Sequence, residues 1–443
     1  MKVIYHILFL LSALFHYHLI YGQETDYDKK VTELINMQDW SAANEVMQNH
    51  KNNISQETAQ IAQILINTNM NRSVKAISEL KKLLEQEIED DNWFLFLNGI
   101  LLENYDNLHD YQSSQSICTN LLNSKRFPKE IQEDIARRKA AYQSLTNHPK
   151  FQVKKIRPDT CFAYTYMPFS HTITSISKCN GIDASFIFDT GSSMSVINES
   201  SVGRLKIRVL QNDSILINGT TYGIRGLIDS LQIGNYIFYN YPITILPSKK
   251  HKFSIEDSIL SNKVKATINH LENTDLILGM SCLRFIEECQ INTKKMNITL
   301  PYKSSNFPMK LPMQLPNNRL YLKTKINDIN FIGFFDTGSE SSIHINNSFY
   351  KKNSHKLPMQ GNTSQTIRTL EFNGPTILSV YPLQPVQTNI VKKPLKEVFV
   401  LPQDEYDHDG DIGNFIFKET DNIIFNFKEM WIHFEERKEV KNK

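Results

Sequence analysis

Glycine and proline are scarce in this chain of 443 residues, with 16 of each, below ordinary usage. That scarcity excludes collagen-like and low-complexity chains. Cysteine is scarcer still: Cys118, Cys161, Cys179, Cys282 and Cys289 are the five present. So few cannot form a disulfide scaffold, and the odd count leaves at least one unpaired in an exported protein. No Cys-X-X-Cys pair occurs, which argues against structural zinc. An excess of one charge is also missing, since 49 basic residues face 47 acidic ones; no surface built for nucleic acid is expected. Beyond the N-terminal segment no stretch approaches the ~20 apolar residues of a membrane span. What remains, 40% hydrophobic and 22% charged, is a globular composition that must fold on apolar cores.

The N-terminal segment has Lys2, an apolar run over residues 3–14 broken by His6 and Ser12, and Gly22 just before the chain turns polar. This order of charge, apolar stretch and small residue reads as a secretory signal peptide over residues 1–22. The mature chain is then secreted, or periplasmic or in the cell envelope, with no stable membrane insertion. An uncleaved N-terminal anchor facing outside the cytoplasm is the alternative, because apolar character continues to Tyr21.

Residues 23–150 carry a helical pattern. Apolar residues recur at three- and four-residue steps, as in Val74, Ile77, Leu80, Leu83 and Leu84. Three related segments open at Trp40, Ser73 and Tyr111, intervals close to the ~34 residues of a tetratricopeptide helix pair. A tetratricopeptide-like stack that holds a protein partner is expected, with an irregular bundle as the alternative. A third possibility is a removable segment that covers a downstream site.

After Pro149, short runs of Ile, Val, Thr, Tyr and Phe alternate with Asn-Gly, Asp-Gly and Gly-Asn pairs, which reads as an all-β region. Residues 301–316 contain four prolines, Pro301, Pro308, Pro312 and Pro316. They read as a linker, because proline cannot donate to a central strand. The expected fold class is therefore multidomain: a helical, repeat-like domain followed by a bilobal β fold, with lobes over 157–300 and 317–436.

The two lobes repeat one another. Asn180-Gly181 and seven further residues lead into Asp189-Thr190-Gly191-Ser192; Asn327-Asp328 and seven further residues lead into Asp336-Thr337-Gly338-Ser339. Ser195 and Ser342 follow at the same offset. Residues 279–300 then align with 413–434 without a gap, with identities at Gly279/Gly413, Asn292/Asn426, Lys294/Lys428, Met296/Met430 and Ile298/Ile432. Two ordered blocks that match in the same order point to a duplication.

An apolar strand running into Asp-Thr-Gly-Ser, followed by Leu276-Ile277-Leu278-Gly279, resembles the lobe pattern of aspartic proteases. The Ser-Val-Ile that follows and the shortness of each lobe are closest to the retropepsin-like members. Two copies in one chain resemble the pepsin-like arrangement. The resemblance covers residues 157–436. It implies an aspartic endopeptidase of pseudo-twofold symmetry, monomeric, acting on peptide or protein substrates without metal or organic cofactor. Asp189 and Asp336 would be the catalytic pair. Thr190 and Thr337 would bond across the approach of the loops, Gly191 and Gly338 would permit that approach, and the Ser192 and Ser339 hydroxyls would hold the carboxylates.

The chemistry requires the motif twice. Peptide hydrolysis needs a base for the attacking water and an acid at the carbonyl, and one carboxyl cannot be both at once. Two carboxyls about 3 Å apart cannot both ionise, so they share one proton. A water-excluding cover is also required; Asn218-Gly219-Thr220-Thr221-Tyr222-Gly223 is the candidate flap, with Tyr222 and Gly223 toward its second strand. A weaker candidate in the second lobe lies around Phe372-Asn373-Gly374. Glu340 stands where the first lobe has Ser193, and would raise nearby carboxyl pKa values if it pointed inward. Asp411 stands where the first lobe has apolar Ile277, which leaves the support beneath the second loop open. Residues 404–411 are acidic, yet Asp409 falls opposite Asp275, so a shared lobe feature accounts for it better than calcium. The competing function is a catalytically inactive, peptide- or protein-binding module.

Overall fold

The computed structural model describes residues 25–168, 170–217, 221–247, 258–361, 363–371, 374–404 and 407–437. The expected signal segment, residues 1–22, lies outside them. Among the described residues no helix is long and apolar enough to cross a membrane. The chain divides into two compact units, one ending at Phe151 and the other beginning at Gln152.

In the first unit the described α-helices are Asp26–Asn36, Trp40–Asn49, Gln56–Asn69, Ser73–Leu84, Asp91–Asn107, Tyr111–Ser124 and Lys129–Thr146. Each packs on the next. Trp40, Ser73 and Tyr111 each open the second helix of a pair, and the turn before each is built alike. Gln38, Asn71 and His109 take the left-handed conformation at φ 55°, 56° and 54°. The N–H groups of Asp39, Arg72 and Asp110 then reach back to the carbonyls of Leu34, Asn67 and Tyr105 at 2.8, 2.9 and 2.9 Å. This closes the preceding helix and reverses the chain without a glycine. The last three helices are tied through Asp106, which accepts from Ser114, Arg138 and Tyr142.

The second unit is a β structure built twice. In the first copy, strand Tyr236–Leu246 pairs with Val196–Asn198, then come Leu276–Leu278, Ile182–Phe188, Ile173–Cys179 and Thr221–Ile233, which pairs back with Tyr236–Leu246 to close the sheet. In the second copy the same order runs Gly374–Pro382, Val398–Val400, Ile343–Ile345, Gly410–Gly413, Ile329–Asp336, Tyr321–Ile326. Matched left-handed residues mark the copies as well: Asn180 and Asn327 at φ 50° and 47°, Met296 and Met430 at 52° and 57°. Asp275 and Asp409 also play one part. Their carboxylates accept the backbone N–H of Ser185 and Ile332, each at 2.8 Å. Among the described residues no group of three or more His, Cys, Asp or Glu is placed to hold a metal ion.

A sheet shared by both copies underlies them. Its strands run Leu311–Gln314, Trp431–Glu436, Thr420–Asn426, Glu288–Asn292, Asn297–Leu300 and Thr160–Ala163. The expected linker is thus partly strand. Leu311 and Pro312 pair with Ile432 and Trp431, while Met313 and Gln314 pair with Leu322 and Tyr321. Met313 N–H donates to the Met430 carbonyl at 2.9 Å, so the nitrogen of Pro312, one residue earlier, faces away from Trp431–Glu436 and leaves no bond to that strand unmade. Two further departures from the sequence reading occur. Strand Gln152–Lys155, ahead of residue 157, pairs with Tyr236–Leu246. The region read as all-β holds the helix Ser258–Asn273, a stretch uninterrupted by glycine or proline. The five cysteines form no disulfide; Cys161 is exposed and the other four are buried.

Candidate active site

Asp189 follows strand Ile182–Phe188 and Asp336 ends strand Ile329–Asp336. Beneath each runs a parallel neighbour ending in glycine: Leu276–Leu278 before Gly279, and Gly410–Gly413. Asp189 N–H donates to the Leu278 carbonyl at 3.1 Å. The turn after each Asp then folds two backbone donors onto one carboxylate oxygen. Gly191 and Ser192 N–H donate to Asp189 Oδ1 at 2.9 and 3.2 Å. Gly338 and Ser339 N–H donate to Asp336 Oδ1 at 2.7 and 3.1 Å.

The threonines lock the two loops to each other. Thr190 Oγ1 donates to the Phe335 carbonyl at 2.7 Å, and Thr337 Oγ1 donates to the Phe188 carbonyl at 2.9 Å. Each hydroxyl also accepts the other threonine's N–H at 3.0 Å. Both side chains are fully buried, so these bonds are made where water cannot replace them. The glycines follow from that closeness. A Cβ on Gly191 would collide with the Asp336 carboxylate, and one on Gly338 would sit 2.8 Å from Asp189 Oδ1. Each carboxylate therefore faces the other loop's glycine.

The serine hydroxyls do something other than expected. Ser192 Oγ donates to the Met194 carbonyl at 2.7 Å and Ser339 Oγ to Ser341 Oγ at 3.1 Å. It is their backbone N–H groups that hold the carboxylates, because the turn aims the peptide at the Asp and the side chain along the loop. Glu340 is exposed. Tyr222, 66% exposed, and Gly223 lie on strand Thr221–Ile233, opposite Leu216 and Ile215. The tip of that hairpin, residues 218–220, lies outside the described residues, as do Phe372 and Asn373 of the second-lobe candidate.

Burial raises both carboxyls above the ordinary carboxylate range. Burial pushes Asp189 above the ordinary carboxylate range, opposed by the Gly191 N–H, the Asp336 contact and the Ser192 N–H. Asp336 is pushed well above that range, by burial first and then by the charge of Asp189. The Asp411 charge adds to this, while the Gly338 N–H opposes it. Such a pair holds one proton and titrates as a unit, its apparent pKa values belonging to the pair.

Several supporting residues have partners that nothing in the sequence indicated. Phe188 and Phe335, each just before its Asp, pack on one ring, Phe425, at centroid distances of 5.8 Å each. Tyr241 Oη donates to Ser195 Oγ at 2.8 Å and lies 2.9 Å from Ser281 Oγ, beneath the first loop. Thr172 Oγ1 donates to the Gly338 carbonyl at 3.3 Å, and Asn414 Nδ2 donates to the Thr337 carbonyl at 3.0 Å. Only the place of Asn414, directly after the repeated Gly413, was a usable pointer.

A family model described as aspartyl protease matches residues 176–282, the greater part of the first copy. No curated protein matches the chain. Similar solved structures include an aspartic proteinase from Irpex lacteus, at 12% identity over 64% of this chain and 99% of that one, TM-score 0.38. A retropepsin-like aspartic protease from Rickettsia conorii matches at 16% identity over 34% and 96%, TM-score 0.22. Basic 7S globulin from soybean matches at 8% identity over 62% and 94%, TM-score 0.36. The β unit thus carries an aspartic-protease-like region around Asp189.

Proposed function

We propose that the unit beginning at Gln152 is an aspartic-type endopeptidase, in which water is activated between Asp189 and Asp336. The observation that carries this reading is the mutual approach of the two loops, with each carboxylate set against the other loop's glycine and the threonines bonded across the junction. The ionised Asp189 takes a proton from water as its oxygen attacks the peptide carbonyl. The protonated Asp336 donates to the carbonyl oxygen; as the tetrahedral intermediate collapses, Asp189 passes the proton it took to the leaving nitrogen and Asp336 takes one back from the intermediate's hydroxyl. The chemistry calls for no metal or organic cofactor. The substrate is a peptide or protein, covered by the hairpin that carries Tyr222 and Gly223. Export to the cell envelope or beyond, and a tetratricopeptide-like helical unit that holds a protein partner, complete the reading.

The test uses the full-length protein on a mixed peptide pool between about pH 3 and 7, the range in which a shared-proton pair operates. Hydrolysis is expected, blocked by a statine-type transition-state mimic. Asp189→Asn and Asp336→Asn should each lower kcat/KM by about a thousandfold or more. A wild-type protein that binds peptides and cuts none would replace this reading with the inactive binding module.

A further inference from the structure

Three positions differ together between the two copies. In the first, Met194, Val196 and Ile277 lie in one apolar cluster with Leu246, and Ile277 is in register with Val196. In the second, the matching positions are Ser341, His344 and Asp411, with Asp411 in register with His344; one extra residue, Ile343, stands ahead of His344. These polar residues are bonded to one another. Asp411 Oδ2 accepts from Ser341 Oγ at 2.8 Å and Oδ1 accepts from the His344 backbone N–H at 3.1 Å. His344 Nδ1 lies 3.1 Å from the same Oδ1; since a carboxylate only accepts, Nδ1 carries a proton in this contact. Asp411 and His344 are 2% and 4% exposed.

Packing alone does not call for such a set. The first copy fills the place with apolar side chains, whereas burying a carboxylate costs desolvation that its partners must offset. The set does reach the active loop. Ser341 Oγ accepts from Ser339 Oγ, and Ser339 N–H donates to Asp336 Oδ1. The strand that carries Asp411 runs alongside the one ending in Asp336.

We propose that Asp411, held by Ser341 and His344, is a positioning residue that fixes the shared proton of the active pair on Asp336 and leaves Asp189 ionised. The inference rests on the peptidase reading above and names the residue that decides the roles of its two carboxyls. A buried negative charge opposes ionisation of a neighbouring carboxyl, and after burial and the charge of Asp189 the charge on Asp411 acts in that direction on Asp336. The titratable groups facing Asp411 are His344 from strand Ile343–Ile345 and Asp336 from strand Ile329–Asp336. Asp409, on its own strand's approach, is turned to the Ile332 N–H, and strand Val398–Val400, beyond His344, has no titratable residue.

Carboxyl carbon-13 NMR of the full-length protein, with Asp336 assigned by its loss in Asp336→Asn, reads the proton directly. In Asp411→Asn the Asp336 midpoint should fall by about half a pH unit or more, and the alkaline limb of kcat/KM should fall with it. A folded Asp411→Asn with an unmoved Asp336 midpoint overturns the proposal. If that variant does not fold, the triple change Ser341→Met, His344→Val, Asp411→Ile restores the first copy's apolar set; the same downward shift is expected, and an unmoved midpoint again overturns it. The titration needs no turnover, so a protein that cuts nothing counts against the peptidase reading and leaves this test standing.

Discussion

Asp336 carries a cost that the fold itself imposes. An unfolded chain ionises this carboxyl near its ordinary pKa of about 3.9, whereas the folded chain keeps the proton to higher pH through burial and the charge of Asp189. Between those values the native state binds more protons than the unfolded state, so stability falls as pH rises and levels off above the folded pKa. Asparagine cannot ionise. Asp336→Asn should therefore be more stable than wild type near pH 7, by a margin that shrinks as pH falls and is gone below about pH 4, the ordinary range. Urea unfolding at a series of pH values measures it; a margin that grows toward acid would contradict a raised Asp336 carboxyl. At this scale the sequence was readable where residue type alone decides. Asp, Thr and Gly at fixed spacing, met twice, were enough to bring Thr190 against Thr337. It was not readable for Ser192 and Ser339, where the choice between hydroxyl and backbone N–H depends on how the turn aims the peptide. Nor does the type of Asp411 reveal that Ser341 and His344 would meet it.

The shared sheet does for the elements what the threonines do for the loops. Phe425 comes from strand Thr420–Asn426, and its ring touches the residues preceding Asp189 and Asp336. It is fully buried. Phe425→Ala should cost about 3–5 kcal/mol by cavity formation, and kcat should fall because both Asp-bearing strands lose a common support. Guanidinium unfolding together with kinetics at optimum pH checks this; a loss under about 1 kcal/mol would mean the site collapses around the gap. The barrel strands were legible from their alternation and their Asn-Gly turns. The shared sheet was not. Its central pairing joins Glu288–Asn292 to Thr420–Asn426, over a separation in sequence that no local period records. Nor does any local period record the partners of Leu311–Gln314, a strand that changes partner midway.

Across the whole molecule, the helical unit and the β unit keep separate cores, one ending at Phe151 and the other beginning at Gln152. Calorimetry should show two unfolding transitions, and Phe425→Ala should lower one of them while leaving the other unmoved. A single transition that moves as a whole would show the units to be energetically coupled. Repetition made both units legible, through Trp40, Ser73 and Tyr111 in one and the two Asp-Thr-Gly loops in the other. Repetition is also where the chain departs from itself. Were the β unit assembled from two identical chains, every substitution in one loop would appear in the other, and the operator relating them would force both carboxyls into the same surroundings. Fusion into one polypeptide, with the copies sharing a sheet, removes that constraint. Each loop meets one fixed partner, so either can change alone. Ser341, His344 and Asp411 opposite Met194, Val196 and Ile277 are such a one-sided change, a broken symmetry that two identical chains could not carry.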